Sequence, residues 1–178
     1  MGLFKKKTCD FCGEKIGGFN RGKKFRDGEL CCDCSEELSI NWHDTIKYNL
    51  SDAVKHIEER KNNREILLNG FEPDYYYGFR PTLFVDEKRK LFCVTLGGAR
   101  ENYGDVPRYV NENCDLFSFS QLEDTLISSN DNGIHTLTVT IKNHPWITRL
   151  VFRDRITSNY EDLLVVDSEL RRIIYAEK

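Results

Sequence analysis

The sequence has no apolar run near the ~18 residues that a membrane-spanning helix needs, which excludes an integral membrane protein. Nor does an apolar h-region follow the basic opening Met1-Gly2-Leu3-Phe4-Lys5-Lys6-Lys7, so a secretory signal is not expected. Lys6 stands where N-myristoylation at Gly2 needs Ser or Thr. The expected compartment is therefore a reducing cytoplasm. Catalytic motifs are also missing. Gly97-Gly98 is not followed by the Lys-Ser/Thr of a phosphate loop, and neither Gly-x-Ser-x-Gly nor His-Glu-x-x-His occurs. The four histidines, His43, His56, His135 and His144, are scattered. No enzymatic activity is expected. Cys93 or Cys114 beside a histidine would be the one nucleophile arrangement to consider, and Cys93 sits inside a strand pattern, where a thiol is usually inert. An excess of positive charge is missing too: the net charge is −3, so the whole chain is not built for nonspecific nucleic-acid binding.

What the chain does have is cysteine. Seven occur in 178 residues, and in a chain with no export signal they read as metal ligands or core thiols more readily than as disulfides. Four form two Cys-x-x-Cys pairs, Cys9/Cys12 and Cys31/Cys34, with 18 residues between Cys12 and Cys31. Each such turn aims two sulfurs at one point, and two turns supply the four thiolates of a tetrahedral Zn²⁺ site. Buried apolar thiols are the plain alternative, and Cys32 competes with Cys31 for the third ligand position. Glycines at 13, 17, 18, 22 and 28 suit the tight turns around such a site. Four thiolates leave no open coordination position and residues 1–34 hold no histidine, so the expected cofactor is structural zinc, not a catalytic metal. About thirty residues bury too little surface to fold alone, and the metal would supply what their core lacks.

The organisation beyond the cysteines is read from periodicity. Ser35-Glu36-Glu37-Leu38 looks like a helix leaving the second cysteine turn, which makes a treble-clef arrangement preferable to a plain ribbon. Ser51 is expected to cap a charged, mostly solvated connector helix over 52–67. From about residue 70 the composition turns aromatic and β-branched and the period drops to two. Thr82–Asp86 and Leu91–Leu96 read as a hairpin; Leu137, Val139 and Ile141 alternate with threonines; Ile147–Arg153 is a further strand, and Phe117–Ser120 and Thr125–Ser128 are weaker candidates. Ser158-x-x-Glu161 fits a capping box, and Leu163, Val166, Leu170 and Ile173 recur at helical spacing, although a short strand over 163–166 stays open. The expected class is α+β, with a zinc module over 1–45, a connector helix over 46–70 and a β-domain with a C-terminal helix over 71–178.

The opening resembles an uncharacterised bacterial family, domain of unknown function 4428. The residues carrying the resemblance are Met1-Gly2-Leu3-Phe4 with its lysines, Cys9-Asp10-Phe11-Cys12-Gly13-Glu14-Lys15-Ile16, and the approach Asp27-Gly28-Glu29-Leu30-Cys31. It continues more loosely through 83–92 and 117–122, while 97–114 stands as an insertion-like loop. The resemblance implies a zinc module fused to a pleckstrin-homology-like antiparallel barrel of seven strands capped by a helix, with no established activity.

Partners are read from charge. Residues 1–26 carry eight Lys/Arg against two Asp/Glu, a net +6; the remainder carries 18 against 27, a net −9. That asymmetry makes Lys5, Lys6, Lys7, Lys23, Lys24 and Arg26 candidates for an anionic partner. The Cys-x-x-Cys…His-x-x-x-His spacing of a DNA-reading finger is missing. The expected role is therefore a cytoplasmic protein–protein adaptor, with nucleic-acid binding through the basic module as the alternative. Tyr75, Tyr76, Tyr77, Phe79 and Arg80 would either pack on the β-domain or grip a ligand. Arg149, Arg153 and Arg155 would line its last strand.

Overall fold

Two Cys-x-x-Cys turns organise the N-terminal part of the computed structural model, which describes residues 7–17, 20, 22–79, 81–95, 106–112, 114–154 and 160–178. Strands β1 (Lys7–Thr8) and β2 (Lys15–Ile16) pair antiparallel around the first turn. Gly13, at φ 79°, closes that turn by donating its N–H to the Cys9 carbonyl at 2.9 Å. A side chain at that φ is strained, so glycine is required there. A bridge between Lys24 and Glu29 forms the return hairpin. The second turn opens helix α1 (Cys32–Glu36), with Cys31 as its N-cap.

Helix α2 (Leu50–Asn69) starts before the Ser51 cap expected from the sequence. Its start is braced by side chains: Leu50 N donates to Asp27 Oδ1 at 2.7 Å, and Asp52 Oδ2 in the first turn accepts from the N–H of Asn49, just before the helix, at 3.0 Å. The helix is mostly solvated, as expected, but one stripe of it is not. Ala53, His56, Ile57, Arg60 and Leu67 are buried along it. The chain divides into two compact units, Met1–Asn62 and Asn63–Lys178, and the division falls inside α2. In the first unit the buried apolar set is Ile16, Phe25, Leu30, Leu38, Trp42, Ala53 and Ile57.

The second unit is built on two antiparallel sheets. Strands β3 (Tyr75–Tyr77), β4 (Thr82–Asp86), β5 (Leu91–Thr95) and β6 (Leu116–Ser118) lie in the order β3-β4-β5-β6. Strands β7 (Leu122–Ser129), β8 (His135–Ile141) and β9 (Arg149–Arg153) form the second sheet in sequence order. All five residues of β4 are buried because both faces of its sheet are covered. On one face Leu83, Val85, Phe92 and Phe117 join Leu137, Val139, Leu150 and Phe152 of the second sheet and Leu163, Val166, Leu170 and Ile173 of helix α4 (Tyr160–Ala176). On the other, Phe84, Cys93 and Leu116 pack with Leu67, Phe71 and helix α3 (Arg108–Asn111).

The 163–166 segment is thus helical, and its four-residue spacing is the buried face of α4. The expected closed barrel does not form among the described residues, where the seven strands make two open sheets. The chain leaves the first sheet through a 3-10 turn at Phe119–Gln121, fixed by reciprocal bonding between Ser118 and Gln121, and among the described residues β7 then pairs with β8 alone. Arg171 covers part of the exposed edge of β7 by donating to the Thr125 carbonyl at 2.7 Å. Gly78 lets the chain pass close to α4: at φ 75° it has no room for a Cβ, which would lie 3.0 Å from Val166 Cγ2. The Ser158 cap, Arg80 and Arg155 lie outside the described residues. Among the described residues no helix is long and apolar enough to cross a membrane.

Candidate metal centre

The two turns bring Cys9, Cys12, Cys31 and Cys34 together, with their sulfurs all within 4.8 Å of one another. Cys31 belongs to this cluster and Cys32 does not; the Cys32 sulfur lies 4.0 Å from Glu36 Oε1, one turn along α1. Local structure explains the choice. As N-cap, Cys31 turns its sulfur back over the helix start, where it accepts the Cys34 N–H at 3.4 Å. Ser35 Oγ holds the Cys31 carbonyl at 2.8 Å and accepts Lys23 N–H at 2.8 Å, tying this turn to the preceding strand.

The donor set fits a tetrahedral thiophilic ion. With metal–sulfur bonds of about 2.3 Å, a regular tetrahedron has sulfur–sulfur edges of about 3.8 Å. Cys12 Sγ and Cys31 Sγ are 3.7 Å apart. Electrostatics at the cluster are uneven. Burial raises the Cys9 thiol, but N–H groups of Cys12, Cys31 and Phe11 outweigh it and lower the thiol to about 6. Burial, together with the crowding of Cys31, Cys12 and Cys9, holds the Cys34 thiol far above its ordinary value. Cys12 is raised net: the Glu14 N–H lowers it, while desolvation and its neighbours Cys9 and Cys31 raise it. Four sulfurs so close repel one another as thiolates, and a bound cation would remove that repulsion.

Residues 8–58 match the family described as a domain of unknown function, DUF4428. The DUF4428 segment contains the whole cysteine cluster and runs on into α2. Comparison with curated proteins and with solved structures found no match.

The basic candidates have varied surroundings. Lys7 pairs with Glu29 at 3.0 Å. Lys23 points inward, its ammonium donating to the carbonyls of Ser39 at 2.8 Å and Trp42 at 3.2 Å. Arg26 donates to the Lys47 carbonyl at 2.7 Å. Lys24 is exposed and has no ion-pair partner among the described residues. Lys5 and Lys6 lie outside the described residues. A cleft of about 450 Å³ beside the first turn is lined by Lys7, Thr8, Asp10, Lys24, Phe25 and Glu29. Charge asymmetry singled out the two lysines of this cleft, but not the carboxylates that line it with them.

The remaining candidates belong to the second unit. Cys93 is fully buried and its thiol is pushed well up by burial, with Cys114 and Asp115 nearby adding to the effect. Cys114 is also buried. Most of the 97–114 loop lies outside the described residues. Tyr77 packs against the core, whereas Tyr75, Tyr76 and Phe79 are exposed. Arg149 and Arg153 occupy the exposed positions of β9, as the alternation predicts.

Proposed function

We propose that the DUF4428 segment is a zinc-stabilised, treble-clef-like docking module in a cytoplasmic adaptor, and that the second unit is a pleckstrin-homology-like domain. The observation that carries the docking reading is the cleft beside the cysteine cluster. It presents Lys7 and Lys24 together with Asp10 and Glu29 over the buried Phe25. A phosphate backbone rewards uniform positive charge, whereas a peptide supplies both signs and an apolar body. The inward bonds of Lys23 further reduce the cation available to an extended anion. For the second unit, support comes from strand order. Four strands and then three are followed by a helix that packs its Leu163, Val166 and Leu170 face on both sheets.

The deciding experiment is capture from host lysate with the full chain, with and without nuclease, beside Cys9→Ser/Cys12→Ser and Lys24→Glu variants. Under the adaptor reading, one protein survives nuclease and is lost with both variants. Recovery of nucleic acid, falling steeply as salt rises, would favour the alternative and rule out the adaptor.

A further inference from the structure

The four cysteines of the cluster are unequally shielded. Cys9 and Cys31 are 2% and 1% exposed, while Cys12 is exposed. The whole tip of the first turn shares that exposure. Asp10 through Lys15 are all open to solvent, Phe11 is 50% exposed, and a Cβ built on Gly13 would meet no atom within 4 Å. Cys34 is intermediate, so Cys12 is the most exposed of the four, and its partner across the two turns, Cys31 Sγ, is 3.7 Å away. A disulfide needs about 2.05 Å, so closure asks for a shift of under about 2 Å at a glycine-hinged, solvent-facing turn. Cys32 is also partly exposed, but its sulfur stands off toward Glu36, outside the cluster.

We infer that Cys12 is an oxidation site for peroxide, and that its conversion to a disulfide with Cys31 opens the metal site. The inference rests on the metal reading above. In the first step the Cys12 sulfur attacks one peroxide oxygen; the O–O bond breaks, water leaves after protonation, and Cys12 becomes a sulfenic acid. In the second, the Cys31 sulfur attacks the Cys12 sulfur; an S–S bond forms, the S–O bond breaks, and hydroxide departs as water after protonation. Overall, two thiolates, one hydrogen peroxide and two protons give one disulfide and two waters. Two sulfur atoms are oxidised and the peroxide is reduced, while the metal keeps its charge. Left with two donors of four, the site no longer holds the ion. The link between the two turns then passes from a reversible metal clip to a covalent bond that thiol reductants undo.

The test uses the full chain loaded with one equivalent of zinc, its metal content measured before oxidant is added. Hydrogen peroxide is titrated in while a chromophoric chelator follows zinc release, and alkylation with peptide mass mapping follows each cysteine. The expected result is loss of the one ion in step with loss of free Cys12, a Cys12–Cys31 cross-link, and recovery of zinc binding after reduction. Cys32→Ser should behave as the parent chain. Retention of zinc under excess peroxide, oxidation beginning at Cys9 or Cys34, or a release that Cys32→Ser abolishes would each overturn the assignment. A chain that takes up no zinc at the outset would instead overturn the metal reading beneath it.

Discussion

The Nε2 atom of His56 accepts the backbone N–H of Ser39 at 3.1 Å, joining α2 to the loop that follows the second cysteine turn. His56 is 1% exposed, and its ring meets the Trp42 indole edge-on at 4.9 Å. Acceptance at Nε2 fixes the neutral tautomer with hydrogen on Nδ1, which faces Glu59 Oε2 at 3.4 Å. Replacing His56 by leucine keeps most of the volume but removes the acceptor from a buried N–H. The expected loss is about 1–3 kcal/mol in the first unit, read from chemical denaturation followed by Trp42 fluorescence in a Trp146→Phe background. His56→Gln, which restores an acceptor, should recover part of it. Equal losses from both variants would show that packing, not this bond, is what matters.

Lys23 completes the same junction from the other side, and it shows where sequence reading stops. The cysteine pairs were legible because ligand spacing is local: four residues and a turn suffice to aim two sulfurs. The β4–β5 hairpin and the α4 stripe were legible because each periodicity reports one buried face. Lys23 looked like surface charge because nothing in its neighbourhood predicts that Ser39 and Trp42, 16 and 19 residues on, turn carbonyls toward it. The buried end of the connector helix was hidden for a related reason. Leu67 is buried only because the far face of the first sheet presents Phe84 and Cys93, so its burial is a property of the pairing partner, not of the helix. Six of the seven strands of the second unit were accessible from the sequence pattern and β3 was not; sheet closure was not accessible either, since it depends on which way a single 3-10 turn redirects the chain.

Asp86 is a buried carboxylate at the end of β4, fully shielded from solvent. Burial pulls its pKa up, but the N–H groups of Glu72 (3.0 Å) and Arg89 (2.9 Å) and the Arg89 guanidinium (3.0 Å) outweigh that and hold it below the usual carboxylate range. The ionised form is therefore bound more tightly in the folded state. Its stabilisation is fully present above the unfolded-chain value of about 3.9 and is lost as pH falls through the lower folded value. Asp86→Ala should destabilise the second unit by about 1–3 kcal/mol, because two N–H groups lose their acceptor and Arg89 is left with Glu72 alone. Asp86→Asn should remove this group's share of the pH dependence, so that urea midpoints of variant and parent converge toward acid. A parallel acid profile in the two proteins would refute the assignment.

Gly22 lies where the strand leading to the return hairpin crosses the second cysteine turn. A Cβ there would overlap the Cys31 carbonyl and Ser35 Oγ. Ser35 Oγ is the atom that links Cys31 to Lys23, so the overlap falls on the brace of the metal centre. Gly22→Ala should weaken zinc affinity measurably in a competition titration against a chelator of known strength. Gly17→Ala, where a Cβ meets nothing within 4 Å, should leave affinity unchanged. Loss of affinity in both would point to backbone flexibility as the cause, and loss in neither would mean the second turn accommodates the methyl group.

Removing the ion should separate the two units thermodynamically. The first unit buries a small apolar set around Phe25, Leu30, Leu38 and Trp42, whereas the second buries one continuous cluster from both sheets and α4. If a metal clip supplies the missing stability of the first, chelation should abolish amide protection around 9–38 while β4, β5, β8 and α4 keep theirs. The four thiols left behind cannot all ionise at this spacing, so the apo cluster should also take up protons, detectable as a pH rise in weakly buffered solution. Hydrogen exchange with mass spectrometry, run before and after chelation and again after restoring zinc, reads both arms. Protection around 9–38 that survives chelation would mean that Trp42, His56 and Lys23 hold the module without the ion. Loss of protection in both units would mean that they do not fold independently.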